Sequence, residues 1–508
     1  MKKIAHLLIA FAALSFACAS SRAAQLNSLF SDNVVLQQNK PLPIWGTGSD
    51  GEKIEVTLGN HSATATVSGG KWRVRLDALP AGGPYTLTVR GDNALTVGNV
   101  LVGEVWVCSG QSNMERQLGP RNGQKLLENW QQEAAAADFP QIRMFFVARN
   151  PAPNPVEDAH GKWVVCSPAT VKDFSAVGFF FARALQADLK VPVGMIFSAV
   201  GGTPVEAWTS QAALESVPAG AELLRKADQD IREFPAKLAQ YKTDEPGLLQ
   251  KYEQDVAAAA AAGKPAPKKP SAPADPTNKH PSGLFNGMIA PLMPCAIRGV
   301  IWYQGESNGG RGKQYRTLFP LMIRDWRSRW QQGDVPFCFV QLATYRASDP
   351  MIREAQFLAL TRVAQTAMVV TTDVGDASDI HPTRKVPVGV RLALAARAVA
   401  YHEKIEFSGP LFAASEFKDG KVILHFSHAN GLTAKGGVLT GFVIAGADRK
   451  WVPADAVIHG DTVVVNSPTV SAPTAVRYNW AGVADGNLFN SADLPASPFR
   501  TDAEPDDQ

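Results

Sequence analysis

A strong excess of charge of either sign is missing from this chain. Lys+Arg 50 against Asp+Glu 47 leaves a formal +3, and charged residues make up only 19% of the total. A dedicated nucleic-acid binder carries a clear basic excess, so no nucleic-acid partner is expected. Cysteine is scarce: there are 5, with no Cys-x-x-Cys pair and no Cys/His cluster. That excludes a zinc site of the usual spacing. The apolar run at the start, residues 4–17, falls short of the roughly 20 residues that span a bilayer. No internal repeat is present, so a solenoid or propeller is not expected.

That first run has another reading. Lys2 and Lys3 precede it and small residues follow it, the pattern of an export signal over 1–24. Cleavage after Ala19, Ala23 or Ala24 fits equally. A secreted or periplasmic protein without a stable membrane anchor is therefore expected. Removing 1–24 takes away Lys2, Lys3 and Arg22 and no acid, which brings the basic count down to the 47 acids. Export would also permit disulfides. Cys108, Cys166, Cys295 and Cys338 allow three full pairings. Most of them sit in or near apolar, strand-like runs, which suits buried unpaired thiols equally well.

With 508 residues, 45% of them hydrophobic, the chain is long enough for two to four domains. Residues 25–98 alternate in the manner of short strands, with Gly-Asn, Gly-Gly and Gly-Asp pairs between them, and predict a small β-sandwich. From 99 to 404 apolar runs alternate with helical periodicity. The predicted strands are 102–108, 142–147, 193–198, 298–303, 335–342 and 368–373. The predicted helices are 174–189, 315–331, 353–366 and 386–403. Strands apolar on both faces, alternating with helices, predict an α/β core with a parallel sheet. Residues 205–285 interrupt it with a charged helical stretch and a Pro/Lys/Ala-rich tip, read as a solvated insertion. From 405 to 508 the strand pattern returns as a second β-rich module, ending in an acidic tail.

Four segments carry polar residues where these strands end. In Gly110-Gln111-Ser112-Asn113-Met114 a strand gives way to a helix at Ser112. A serine there either caps the helix or exposes its hydroxyl beside the backbone N–H groups that a developing oxyanion needs. Met114 departs from the Gly-x-Ser-x-Gly nucleophile turn. Ser198 to Thr203 contains Gly201 and Gly202, whose lack of a side chain allows a tight turn or a close approach to ligand. Trp302 and Tyr303 precede Gln304, Glu306 and Asn308 at another strand end, where open α/β sheets hold their sites. The two aromatics are candidates either for sugar stacking or for the core. His381 precedes Pro382 and follows Asp373, Asp376 and Asp379. A neutral imidazole can take a serine proton if folding brings it to Ser112.

Gly110-Gln-Ser-Asn-Met114, Trp302-Tyr-Gln-Gly-Glu-Ser-Asn308, Ile380-His-Pro382 and the closing segment 477–500 together resemble the sialate O-acetylesterase family of SGNH-type hydrolases, over roughly residues 25–500. The resemblance implies a three-layer α/β/α core with Ser112 as nucleophile and His381 as general base. It implies an oxyanion hole from the Ser112 amide, Gly201 or Gly202, and Asn308, with Gln304 beside it. The substrate would be an acetylated carbohydrate: a sialic acid, or xylan or another plant polysaccharide. No metal or cofactor is implied. The general pattern has Gly-Asp-Ser and an acid three residues before the histidine. Here Gln111 and Ser378 stand at those places. The third member of the triad is therefore open between Asp379, Glu306 and Asp376. The competing classes are a non-catalytic carbohydrate-binding protein and a longer-chain esterase.

Overall fold

The computed structural model describes residues 23–502. The export signal expected at the start and the acidic tail lie outside the described residues, apart from residues 23 and 24 of the former and 501 and 502 of the latter.

Seven strands carry the central sheet: β1 (Ala94–Gly110), β2 (Ile142–Val147), β3 (Gly161–Val165), β4 (Val193–Ala199), β5 (Gly299–Tyr303), β6 (Phe337–Val340) and β7 (Thr366–Val369). They lie in the order β3-β2-β4-β1-β5-β6-β7. All neighbours are parallel except β3, which runs antiparallel to β2 at one edge. The parallel strands are nearly free of exposed residues, as the apolar runs required. β3 was not foreseen: its Gly-Lys-Trp-Val-Val run is short, and it sits half-buried at the edge. The architecture is thus mixed α/β, with further β-rich sheets at both ends of the chain.

The helices follow the predicted periodicity. Those that bear on the site are α1 (Ser112–Glu115), α2 (Ala176–Leu189), α3 (Pro218–Ala261), α4 (Gly312–Trp330), α5 (Pro350–Arg362) and α6 (Val386–Ala400), with two further short helices at Trp130–Ala135 and Gln211–Glu215. α2 packs on α6 and α4 on α5, and each pair contacts the sheet. Ser175 caps α2 by accepting from the Gly178 amide, and its hydroxyl also meets the Met114 carbonyl at 2.7 Å. One capping residue therefore serves both a helix start and the segment that carries Ser112. Helix α3 fills most of the insertion. It is largely exposed, burying only Gly220 and Leu224, and continues past Pro235 and Pro246. No helix among the described residues is long and apolar enough to cross a membrane.

The N-terminal strands form a three-stranded sheet beside strands that join β1 itself. Position 98, read as a boundary, falls inside β1, which runs 17 residues from this module into the core. A single apolar cluster accordingly extends from Ala24 to Ala400. A separate cluster, Val422 to Phe499, holds two four-stranded sheets together at the C-terminal end. The four cysteines of the described chain are buried and unpaired.

The strand order has one reversal that matters. The strands following β1 in the chain are laid first on one side of it (β2, β4) and then on the other (β5, β6, β7). The chain therefore diverges to either side of β1, and the carboxyl end of such a strand is where open α/β sheets hold their sites. Arg353 ties the C-terminal region to this core. It is fully buried, and its guanidinium donates to the carbonyls of Leu342, Ala343, Ala481 and Gly482 at 2.6–2.9 Å. Arg353→Met removes the donors and strands those carbonyls, which should cost about 3 kcal/mol or more. Urea unfolding checks this; a loss under about 0.5 kcal/mol would contradict it.

Candidate active site

Four loops leave the carboxyl ends of β1, β4, β5 and β7 and converge. Gly110, the last residue of β1, has φ +137, and a Cβ there would stand 2.2 Å from the Tyr303 carbonyl oxygen. Only glycine fits a left-handed turn pressed against the next strand. That turn projects Ser112 at the first position of α1, where a backbone N–H has no intrahelical acceptor. Gly201 comes in from the β4 loop, and a Cβ on it would sit 3.3 Å from the Ser112 Cβ. Gly202 follows at φ +69. The glycine pair therefore lies directly beside the serine.

His381 arrives from the loop after β7. Its Nε2 lies 2.9 Å from the Ser112 Oγ, although the residues are 269 positions apart. Both side chains are half-buried. Burial lowers the basicity of the imidazole below the usual value, and the Lys385 charge adds to this while Asp379 opposes it.

The three carboxylate candidates separate cleanly. Asp379 Oδ1 lies 3.9 Å from His381 Nδ1 and accepts the His381 backbone N–H at 2.9 Å. At 3.9 Å the side-chain contact is electrostatic, since hydrogen bonds end near 3.2 Å. Asp376 is engaged elsewhere, by the Lys125 ammonium at 2.5 Å and by the Ser378 amide and hydroxyl, and these hold its carboxyl well below the usual range. Glu306 Oε1 accepts from Asn113 Nδ2 at 2.7 Å rather than from the histidine. Its burial pushes the carboxyl upward, and its Oε2 is buried without a partner among the described residues. Asp373, upstream, is clamped by Arg391 through two bonds of 2.7 Å.

Asn308 is buried beside the glycine pair, with its carbonyl oxygen accepting from the Val205 amide and Gln304 Nε2. Its Nδ2 donates at 3.0 Å to Glu206, itself buried and paired with Arg311. One amide hydrogen of Asn308 is thus used, and the second is left over. Gln304 differs from the expectation. It spends both amide hydrogens internally, on the Thr203 carbonyl and on Asn308, so it positions Asn308 and has no donor for a ligand.

Trp302 and Tyr303 also correct the expectation of sugar stacking. Both are fully buried. Trp302 packs edge-on against Trp208 and Trp326 at 6.0 and 5.8 Å, in the aromatic core beneath the sheet. The sequence reading gave no role to Gln111, noted only as a departure from Gly-Asp-Ser, and none to Glu206. Gln111 Oε1 accepts from the Gly305 and Ser307 amides, which holds the β5 loop against the serine turn. Only its place next to Ser112 hinted at this. Among the described residues no group of three or more His, Cys, Asp or Glu is arranged to hold a metal ion.

The family model for carbohydrate esterases described as sialic acid-specific acetylesterases matches residues 102–236 and 281–398. The chain is 31% identical to the sialate O-acetylesterase of Rattus norvegicus, over 92% of this chain and 93% of that protein. It is 30% identical to the Homo sapiens sialate O-acetylesterase, over 93% and 91%. Among solved structures, a carbohydrate acetylesterase from Xanthomonas citri superposes with a TM-score of 0.80 at 37% identity, covering 95% of this chain and all of that one.

The surroundings of His381 lead to a measurable expectation. Its imidazole should titrate below 6.5, the ordinary value. An NMR-monitored pH titration checks this, and a midpoint above 6.5 would contradict the assignment of burial as the dominant influence.

Proposed function

The chain belongs to the sialic acid-specific acetylesterase family of carbohydrate esterases, and on that premise we propose that it hydrolyses O-acetyl groups from sugars through a serine acetyl-enzyme, on an SGNH-type three-layer core, after export. The observation that carries the mechanism is the 2.9 Å contact of His381 Nε2 with Ser112 Oγ at the strand ends. A carbohydrate-binding module without chemistry has no use for an imidazole held at proton-transfer distance from a turn serine.

Ser112 Oγ attacks the acetyl carbonyl carbon while His381 Nε2 takes its proton. The C–O π electrons move onto oxygen, giving a tetrahedral oxyanion. The Ser112 amide, the Gly201–Gly202 segment and the remaining Asn308 hydrogen are the donors for that charge. The intermediate collapses, the sugar oxygen leaves with the proton from His381, and the acetyl group stays on Ser112. Water, deprotonated by the same imidazole, then releases acetate and restores the serine. The depressed basicity of His381 keeps it neutral, hence competent as a base, at and somewhat below neutral pH. Asp379 is the acid of this reading. It fixes the histidine backbone by a hydrogen bond and favours the transient imidazolium by its charge.

Ser112→Ala should lower kcat on p-nitrophenyl acetate and on acetylated sialosides or acetylxylan by about 1,000-fold or more. Turnover close to the unaltered protein would reject Ser112 as nucleophile. The same panel ranks the sugars by acetate release. For the acid, Asp379→Asn should reduce kcat by about tenfold or more, and by more than Glu306→Gln does. The reverse order would transfer the role to Glu306.

A further inference from the structure

Lys385 is one of the least comfortable residues in the molecule. It is 1% exposed and stands at the N-terminal cap of α6, four residues after His381. Burial disfavours an ammonium, and a helix N-terminus disfavours any cation. No carboxylate forms an ion pair with it among the described residues, and its ammonium lies 5.5 Å over the Tyr303 ring. Its one strong partner is Asn113 Oδ1, at 2.6 Å.

That partner is the residue after the nucleophile. Asn113 is 1% exposed, and its Nδ2 donates to Glu306 Oε1 at 2.7 Å and to the Ile380 carbonyl at 3.0 Å. An ammonium only donates, and a carboxylate or carbonyl only accepts, so the amide has a single allowed orientation. Both its hydrogens are then spoken for. The Asn113 side chain joins the serine turn, the β5 loop and the residue before His381, and Lys385 closes the joint from α6.

We propose that Lys385 is a positioning residue for the ester hydrolysis: by latching the Asn113 amide it holds the His381 loop at reacting distance from Ser112. This rests on the serine-esterase reading given above. The charged groups around the ammonium are Glu306 and Asp379, which favour its charge, and Arg116, which opposes it together with burial and brings Lys385 to about 7. His381 in turn is discharged by Lys385, Arg121 and Arg116 and charged by Asp379. Lys385 therefore has two effects on the base. It sets its place through Asn113 and disfavours its protonation through space.

Methionine and glutamine are nearly the same length, and only glutamine can donate to Asn113 Oδ1. Lys385→Met should lower kcat on p-nitrophenyl acetate by about tenfold or more with KM within about twofold. Lys385→Gln should recover most of that kcat. Both remove the charge, so in both the acid limb of kcat/KM should move to higher pH, because His381 becomes easier to protonate. Circular dichroism confirms that each variant is folded; if the methionine variant is not, the glutamine variant alone carries the test through its acid limb. Unchanged kcat in Lys385→Met, or an unmoved acid limb in folded Lys385→Gln, would overturn the proposal while an inactive Ser112→Ala left the esterase reading intact. An active Ser112→Ala would remove the reading itself.

Discussion

The 2.9 Å contact between His381 and Ser112 is the point on which the proposed chemistry depends, and it is improbable for an unfolded chain. Closing a loop of 269 positions costs conformational entropy that no single hydrogen bond returns. The fold supplies it. Six parallel strands place their carboxyl ends along one edge, and the strand order reverses around β1. Loops from both sides of the reversal must then meet over the end of β1, where Gly110 turns the chain outward.

Meeting is not the same as being held. A side chain that must approach within tenths of an ångström of its partner needs neighbours that cannot shift. Here the restraint is polar and buried. Gln111 accepts from the Gly305 and Ser307 amides, Gln304 and Glu206 fix Asn308 from opposite sides, and Asn113 bridges three loops with Lys385 behind it. Such a network is costly if half satisfied and rigid if complete. Gln304 illustrates completeness: its oxygen accepts from the Tyr315 hydroxyl and its amide hydrogens serve Thr203 and Asn308. Among the described residues Glu306 Oε2 is buried without a partner, and it lies against the site.

Much of this was legible before folding. Apolar runs buried on both faces announced the parallel strands, and glycine or serine at their ends announced the turns. Ser112, His381, Gly201, Gly202 and Asn308 stand out as polar or glycine residues where strands end, and the family resemblance supplied the roles proposed for them. What stayed hidden is whatever depends on direction rather than identity. Trp302 and Tyr303 look the same in sequence whether they face a sugar or a core; they point to opposite faces of β5, and both faces are covered. Gln304 looks like an oxyanion donor until its partners are known. Lys385 drew no reading at all, since nothing local reveals that it is buried at the start of α6. The strand running through position 98 was not legible, because it carries the same alternation on both sides of that position.

The central claim is that Ser112, activated by His381, is the group that becomes acylated. The direct measurement is labelling with an organophosphonate fluoride followed by peptide mass mapping. The account predicts one phosphonyl group per chain, on the peptide containing Ser112, with fluoride released, activity lost in step, and labelling far slower in His381→Ala. Full esterase activity in a protein left unlabelled at Ser112, or stoichiometric labelling at another serine, would contradict it.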